Sequence, residues 1–297
     1  MTQTPFTLRD AGMATQVAIA AGVSWVVPEG LWLTLTRTIG RVEALLGMPR
    51  SRAWQIDHQL AAVLGCSARA LAVERNASGH ASRLYGLREY RPWRQAVPVR
   101  IDGLDHLRGA LAAGAGAVLW VGRFTWASII TKMGLHQAGV PVTHLSRPGH
   151  GFGDSAFQVR WLNPIWTRIE TRFLRERIVL QPGAETGALR ALRRRLAENG
   201  VISITVGDEA ARTVDVSVLG VPLRLATGPM HLAAASGAPL IPVFTVRDDA
   251  GVFVVTLEAP LPLEARADRD AREHDVAAQY ARRLEPWVRR YPGQWLG

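Results

Sequence analysis

One cysteine, Cys66, and one lysine, Lys132, are all that the 297 residues contain of either type. A lone thiol excludes a disulfide framework and a thiolate metal cluster within the chain, and it permits a reducing compartment. The apolar stretch from Leu60 to Cys66 predicts that the thiol packs in a helix. With lysine almost missing, nearly every positive charge is an arginine, which suits bidentate phosphate or carboxylate contacts and equally suits a biased base composition. Long hydrophobic runs are missing as well. Ala11 to Pro28 carries no charge, yet it is rich in Ala, Gly, Ser and Thr and lacks the sustained Leu, Ile and Phe content of a membrane span. It also lacks the basic start of a signal peptide. With Trp25, Leu31, Trp32 and Leu33 close behind, the region predicts a helix pair that lies against a bilayer interface or caps the core.

What is present is a 48% hydrophobic composition, enough to bury a large core, with no low-complexity segment and no repeat period. No linker divides the chain, so one domain is expected over 1–297, with an α-helical layer over 1–95 and an α/β core over 96–297. A net charge of +10 suits an anionic partner: nucleic acid, an anionic membrane surface, or an acidic carrier protein. No recognition-helix, zinc-finger or aromatic RNA-binding signature accompanies the charge, so no nucleic-acid partner is expected.

After residue 100 strands and helices alternate. Ala117 to Val121 is a short apolar run expected of a strand buried on both faces, Thr125 to Ala138 a helix, and Val140 to Leu145 the next strand. Thr186 to Asn199 predicts a helix with Ala188, Leu189, Leu192 and Leu196 inside and Arg190, Arg193 and Arg194 on a solvated face, stopped by Gly200 ahead of a strand over 201–206. Gly228-Pro229 opens a helix, strands at 240–247 and 252–257 flank a turn at 248–251, and a closing helix from Arg269 to Arg290 is expected to break or bend near Pro286. The fold class expected is α/β, with a mostly parallel central sheet flanked by helices and an N-terminal helical layer.

The strand from Ala117 runs through Gly122-Arg123-Phe124 into Thr125-Trp126-Ala127-Ser128. Further blocks follow in order: Pro141 to Arg147, Asn163-Pro164 ahead of Glu170 to Arg177, Val201 to Asp208, Val218 to Pro222, Thr227-Gly228-Pro229, Ser236 to Phe244, and Tyr291 to Trp295. Together they resemble the bacterial lipid A late acyltransferases of the lysophospholipid acyltransferase superfamily, over roughly residues 15 to 297. In that family the strand leads into Gly-His-Phe, with an acidic residue after four intervening positions. Here the histidine position is Arg123 and the acid position is Ser128.

The resemblance implies acyl transfer to a lipid or glycolipid hydroxyl from an acyl carrier protein or acyl-CoA donor. It also implies a peripheral place on the cytoplasmic face of the inner membrane against anionic lipid, with no cofactor and no metal. Deprotonating that hydroxyl needs a base such as a carboxylate-oriented histidine. A guanidinium keeps its proton, so Arg123 cannot serve. Ser128 cannot replace a carboxylate. A rewired site is therefore required, and His150 with Asp154, in a Gly-rich segment after the second strand, is one relocated pair. The other reading is a catalytically inactive relative that binds acyl chains or phospholipid or assists a partner. Asp208 matches an acidic residue of the family at a strand end, and Arg147 a basic one. Open parallel sheets place ligands at the carboxyl ends of their strands, so Arg123, Arg147 and Arg212 are expected to line the cleft and hold phosphate or carboxylate, beside Phe124 and Trp126 as substrate contacts. His58 and His231, on apolar helices, read as core histidines.

Overall fold

A computed structural model describes residues 6–46, 51–181, 183–207, 210, 212–263 and 268–297. Four helices come first: α1 (Leu8–Val26), α2 (Trp32–Leu46), α3 (Arg52–Leu64) and α4 (Ala68–Leu87). A reciprocal cap starts α1: Asp10 N donates to Thr7 Oγ1 at 3.2 Å and Thr7 N donates to Asp10 Oδ2 at 2.9 Å, which satisfies two backbone donors that the first turn leaves open. Ser51 and Ser67 cap α3 and α4 without the reciprocal bond, their side-chain oxygens accepting from Trp54 N and Ala70 N.

The α/β part follows as β1 (Val99–Asp102), α5 (Leu104–Ala112), β2 (Ala117–Val121), α6 (Ile130–Gln137), β3 (Val142–Ser146), α7 (Asn163–Thr171), β4 (Glu176–Val179), α8 (Glu185–Ala197), β5 (Val201–Thr205), β6 (Thr213–Val218), β7 (Val221–Ala226), α9 (Gly228–Ser236), β8 (Leu240–Arg247), β9 (Phe253–Leu257) and α10 (Arg269–Arg290). Seven strands form one sheet in the order β1-β9-β8-β2-β5-β3-β4. Every neighbouring pair is parallel except β8 with β9, so the fold is the mostly parallel α/β sheet that the alternating pattern predicts, with the helical layer ahead of it.

All five residues of β2 are buried, as a strand covered by helices on both faces requires. Their core is continuous with Ile56, Leu60, Leu71 and Ala81 of the helical layer. The parallel run of β2, β5 and β3 brings their carboxyl ends to one edge, and the segments after β2 and after β3 leave from it.

Several expectations need correction. The helix after β2 starts at Ile130, not Thr125, because the turn before it is tied to the chain's end: Thr125 N donates to Gln294 O at 2.8 Å and Leu296 N to Arg123 O at 2.8 Å. The block from Val218 to Pro222, which resembles the end of an acidic strand of the family, is the turn of the two-stranded antiparallel hairpin β6–β7, outside the seven-stranded sheet. Helix α10 runs through Pro286 without a break in its assignment. Leu189 lies on the exposed side of α8, although Ala188, Leu192 and Leu196 are buried as expected. Cys66 is exposed, since Gly65 ends α3 in a left-handed conformation just before it.

Candidate active site

Gly122 explains why the turn after β2 begins with glycine: a Cβ there would stand 2.8 Å from Phe244 Cδ1. Beyond it Arg123 is half-buried, with its carbonyl on Leu296 N, while Phe124 and Trp126 point into the core. Phe124 packs edge-on to Phe244, and Trp126 packs against Tyr85 and Phe253 at 5.9 and 4.9 Å between ring centroids. Both were expected to touch substrate, and both instead fill the interior.

Ser128, where the family's acid is expected, meets a carboxylate from elsewhere. Its Oγ donates to Glu170 Oε1 at 2.7 Å. Lys132, in the first turn of α6, donates through Nζ to the same oxygen at 2.7 Å and to Ser128 O at 2.7 Å. Trp166 Nε1 completes the cluster, donating to Ser128 Oγ at 3.0 Å and Glu170 Oε1 at 3.1 Å. The second oxygen, Oε2, lies 2.7 Å from His150 Nε2. Glu170 is fully buried, whereas the His150 side chain remains 27% exposed.

Burial alone would raise the Glu170 carboxyl, but Lys132 and His150 beside it outweigh that and hold it well below the usual carboxylate range. Burial draws the Lys132 ammonium down, with Glu170 opposing. His144 lies deeper still, with Nδ1 2.8 Å from Ser203 Oγ and its ring centroid 5.9 Å from that of His150. Desolvation first, and then Lys132, push it well below its ordinary value, so His144 is neutral.

The loop that carries His150 is held by one amide. Asn163 Oδ1 accepts from Phe152 N at 2.7 Å and Gly153 N at 3.3 Å, while Nδ2 donates to Gly153 O at 2.8 Å and Pro148 O at 3.3 Å. Gly151 has φ of +136°, and a Cβ there would stand 2.8 Å from Asn163 Oδ1, so the approach requires glycine. Replacing Asn163 by Ala should cost about 1–3 kcal/mol from stranded backbone donors. It should also raise protease sensitivity selectively over residues 147–154; an unchanged cleavage pattern would show that the loop holds itself.

Asp154 is exposed, with its carboxylate over Gly149, so the partner of His150 is Glu170 rather than Asp154. Spacing along the chain suggested the wrong acid because the loop folds toward α7. Arg147 remains at the strand ends, its guanidinium 3.8 Å from where a Cβ of Gly207 would lie, and Arg177 Nη2 donates to Ser146 Oγ at 2.9 Å beneath it. Arg212 is drawn instead onto α10, bonded to Glu273 at 2.7 Å and also to Asp270. Asp208 lies outside the described residues. His231 is half-buried against Glu273 at 2.7 Å and His58 is exposed against Trp54, so neither is the core histidine expected. Among the described residues no group of His, Cys, Asp and Glu has the makings of a metal site.

A family model for bacterial lipid A biosynthesis acyltransferases matches residues 85–296. Phosphatidylinositol mannoside acyltransferases from two strains of Mycobacterium tuberculosis are each 32% identical over 146 residues, which cover 48% of this chain and 42% of theirs. The match thus spans less than half the length of these curated relatives. The solved structure of a 1-acyl-sn-glycerophosphate acyltransferase, PlsC, from Thermotoga maritima aligns with 94% of this chain and 98% of its own at 11% identity and a TM-score of 0.41. With its strand-to-turn motif, its ordered blocks and a family match over most of its length, this chain belongs to the bacterial lipid A biosynthesis acyltransferases.

Proposed function

We propose that this protein transfers an acyl group from a thioester donor, an acyl carrier protein or acyl-CoA, to a hydroxyl of a lipid or glycolipid, with His150 as base and Glu170 as the carboxylate that orients it. The observation that carries this reading is the 2.7 Å contact between a partly exposed imidazole and a buried, ionised carboxylate at the strand-end edge. Because Nε2–H donates to Glu170, the lone pair resides on Nδ1. Nδ1 takes the proton as the acceptor oxygen attacks the thioester carbonyl; the C–S bond breaks, and the thiolate leaves with that proton. Arg123 and Arg147 follow β2 and β3, the two strands that flank β5 at this edge, where guanidinium groups hold an anionic head or a developing oxyanion.

The alternative, a binding protein without turnover, is favoured by the arginine and serine at the family's dyad positions. Incubating the purified protein with a labelled long-chain thioester and a lysophospholipid or glycolipid acceptor separates the two. Stoichiometric release of thiol with acylated product supports transfer; ligand binding without either product supports the alternative.

The helical layer supports a peripheral membrane location. Ile19, Trp25, Val26 and Leu31 are exposed on or just after α1, and Ile39, Val42, Leu45 and Leu46 on α2, while no described helix is long and apolar enough to cross a membrane. Reversible binding to anionic vesicles is expected, weakening as salt screens the arginines over a Debye length of about 8 Å at physiological ionic strength. Trp25→Ser with Leu31→Ser should reduce binding at least about tenfold, since each large apolar side chain contributes roughly 1.5–3 kcal/mol when fully buried. Equal binding by variant and parent would remove these helices from the membrane contact.

A further inference from the structure

A cavity of about 500 Å³ lies between α10 and the β1–β9–β8 side of the sheet. Small-ligand sites run from about 300 to 1,000 Å³, so its size is ordinary for one. Side-chain alternation fixes which face of the sheet it occupies. A Cβ on Gly134 of α6 would stand 2.8 Å from Val99 Cγ1 and 3.3 Å from Val255 Cγ2, so the odd-numbered residues of β1 and β9 face α6. Arg100 and Val254, paired in register, therefore turn to the opposite face, where they line the cavity with Val246 of β8. The Glu170 cluster is built on α6 through Lys132 and belongs to the other face.

Three kinds of surface meet in the cavity. Helix α10 and the residue after it supply an aromatic wall, the rings of Trp287 and Tyr291 lying 23° from parallel with centroids 6.4 Å apart. Beside it stand Arg282, Arg283 and Arg290 of the same helix. Among the described residues Arg282 has no ion-pair partner, while Arg283 reaches Glu258 at 3.1 Å and Arg290 reaches Asp249 at 3.3 Å, both from exposed side chains. Pairs so open to water hold little, and an anionic ligand can take their place. Carboxylates are the third surface, Asp248 after β8 and Glu258 after β9. Glu258 Oε1 also accepts from Trp287 Nε1 at 3.1 Å, which fixes the indole.

A simple anion uses the guanidinium groups alone and is repelled by the acids. A nucleotide whose base carries an amino group uses all three surfaces: the base stacks on an aromatic ring, its amine donates to a carboxylate, and its phosphate takes the guanidinium fork. We propose that this cavity binds a free nucleotide with an amino-bearing base, such as AMP, at a site separate from the transfer centre. The site does not depend on the reading of His150.

Calorimetric titration of the full chain with AMP, adenosine, ribose 5-phosphate, IMP and inorganic phosphate tests this. AMP should bind at least tenfold more tightly than adenosine or ribose 5-phosphate, and more tightly than IMP, which has a carbonyl in place of the amine. Arg282→Gln should weaken AMP at least fivefold and leave adenosine unchanged, whereas Trp287→Leu should weaken both alike. Arg190→Gln, on the exposed face of α8, should change neither. Arg282 is exposed, so its variant carries the test if Trp287→Leu does not fold. Absence of AMP binding, or equal affinity in parent and Arg282→Gln, overturns the proposal. Inorganic phosphate binding as tightly as AMP makes the cavity an ion site instead, and IMP matching AMP overturns the choice of base. Coenzyme A binding at least tenfold more tightly than AMP, in competition with it, would assign the cavity to the thioester donor and overturn its separateness. His150→Gln should bind AMP with the parent affinity, which keeps failure of this site distinct from failure of the catalytic reading.

Discussion

His150→Gln is expected to lower acyl transfer by about 100-fold or more, the usual contribution of a positioned general base. Glutamine retains a side-chain donor for Glu170 Oε2 but has no group that accepts a proton at neutral pH, so binding of the thioester donor and the melting temperature should stay close to the parent. Comparable turnover in parent and variant, with both folded, would place the base elsewhere and reduce the His150–Glu170 contact to a structural bond.

Lys132→Met is expected to destabilise the protein by about 3–5 kcal/mol, since it leaves the fully buried Glu170 carboxylate without its ammonium partner. For domains of 150–250 residues each kcal/mol moves the melting temperature by about 2–4 °C, which makes a drop near 10 °C the expected reading in calorimetry. The double variant Lys132→Met with Glu170→Gln should recover part of the loss by removing the stranded charge. Linkage adds a pH signature. The folded carboxyl of Glu170 is held below its unfolded value, so its stabilisation is present above the unfolded value and disappears only as pH falls through the lower folded one. Without Lys132 that restraint weakens, and the acid-side loss of stability should begin at higher pH. If Lys132→Met melts within a degree of the parent, the buried ion pair contributes little and Glu170 owes its position to Trp166 and Ser128.

The sheet was legible because its signals are local. The apolar run of β2 and the helix entry at Gly228-Pro229 each announce one element within a few residues, and ordered blocks suffice to place the family. Glu170 was not legible as the partner of His150 and Lys132. It sits at the end of an amphipathic helix in a segment otherwise notable for arginine, and its four partners come from the turn before α6, from α6, from the loop after β3 and from Trp166 on its own helix. The one available signal was Lys132, the single lysine, placed where α6 should be buried: a cation there requires an acid from another element. The sequence paired His150 with Asp154, whereas the fold sets it against Glu170, because a four-residue spacing describes a helix and this segment is a loop stapled by Asn163. Phe124 and Trp126 misled for the opposite reason, since proximity in sequence to the motif does not decide which way an aromatic side chain turns.

That single lysine also equips the molecule with its own reporter. Lys132 carries the only side-chain primary amine, and only 4% of its surface is accessible, so an acylating reagent in solution reaches it only when α6 and α7 part. The rate at which that one nitrogen is modified under native conditions therefore counts openings of the interface around Glu170 against a background free of other ε-amines. Acceptor lipids that tighten this region should slow the labelling, and those that bind elsewhere should leave it untouched.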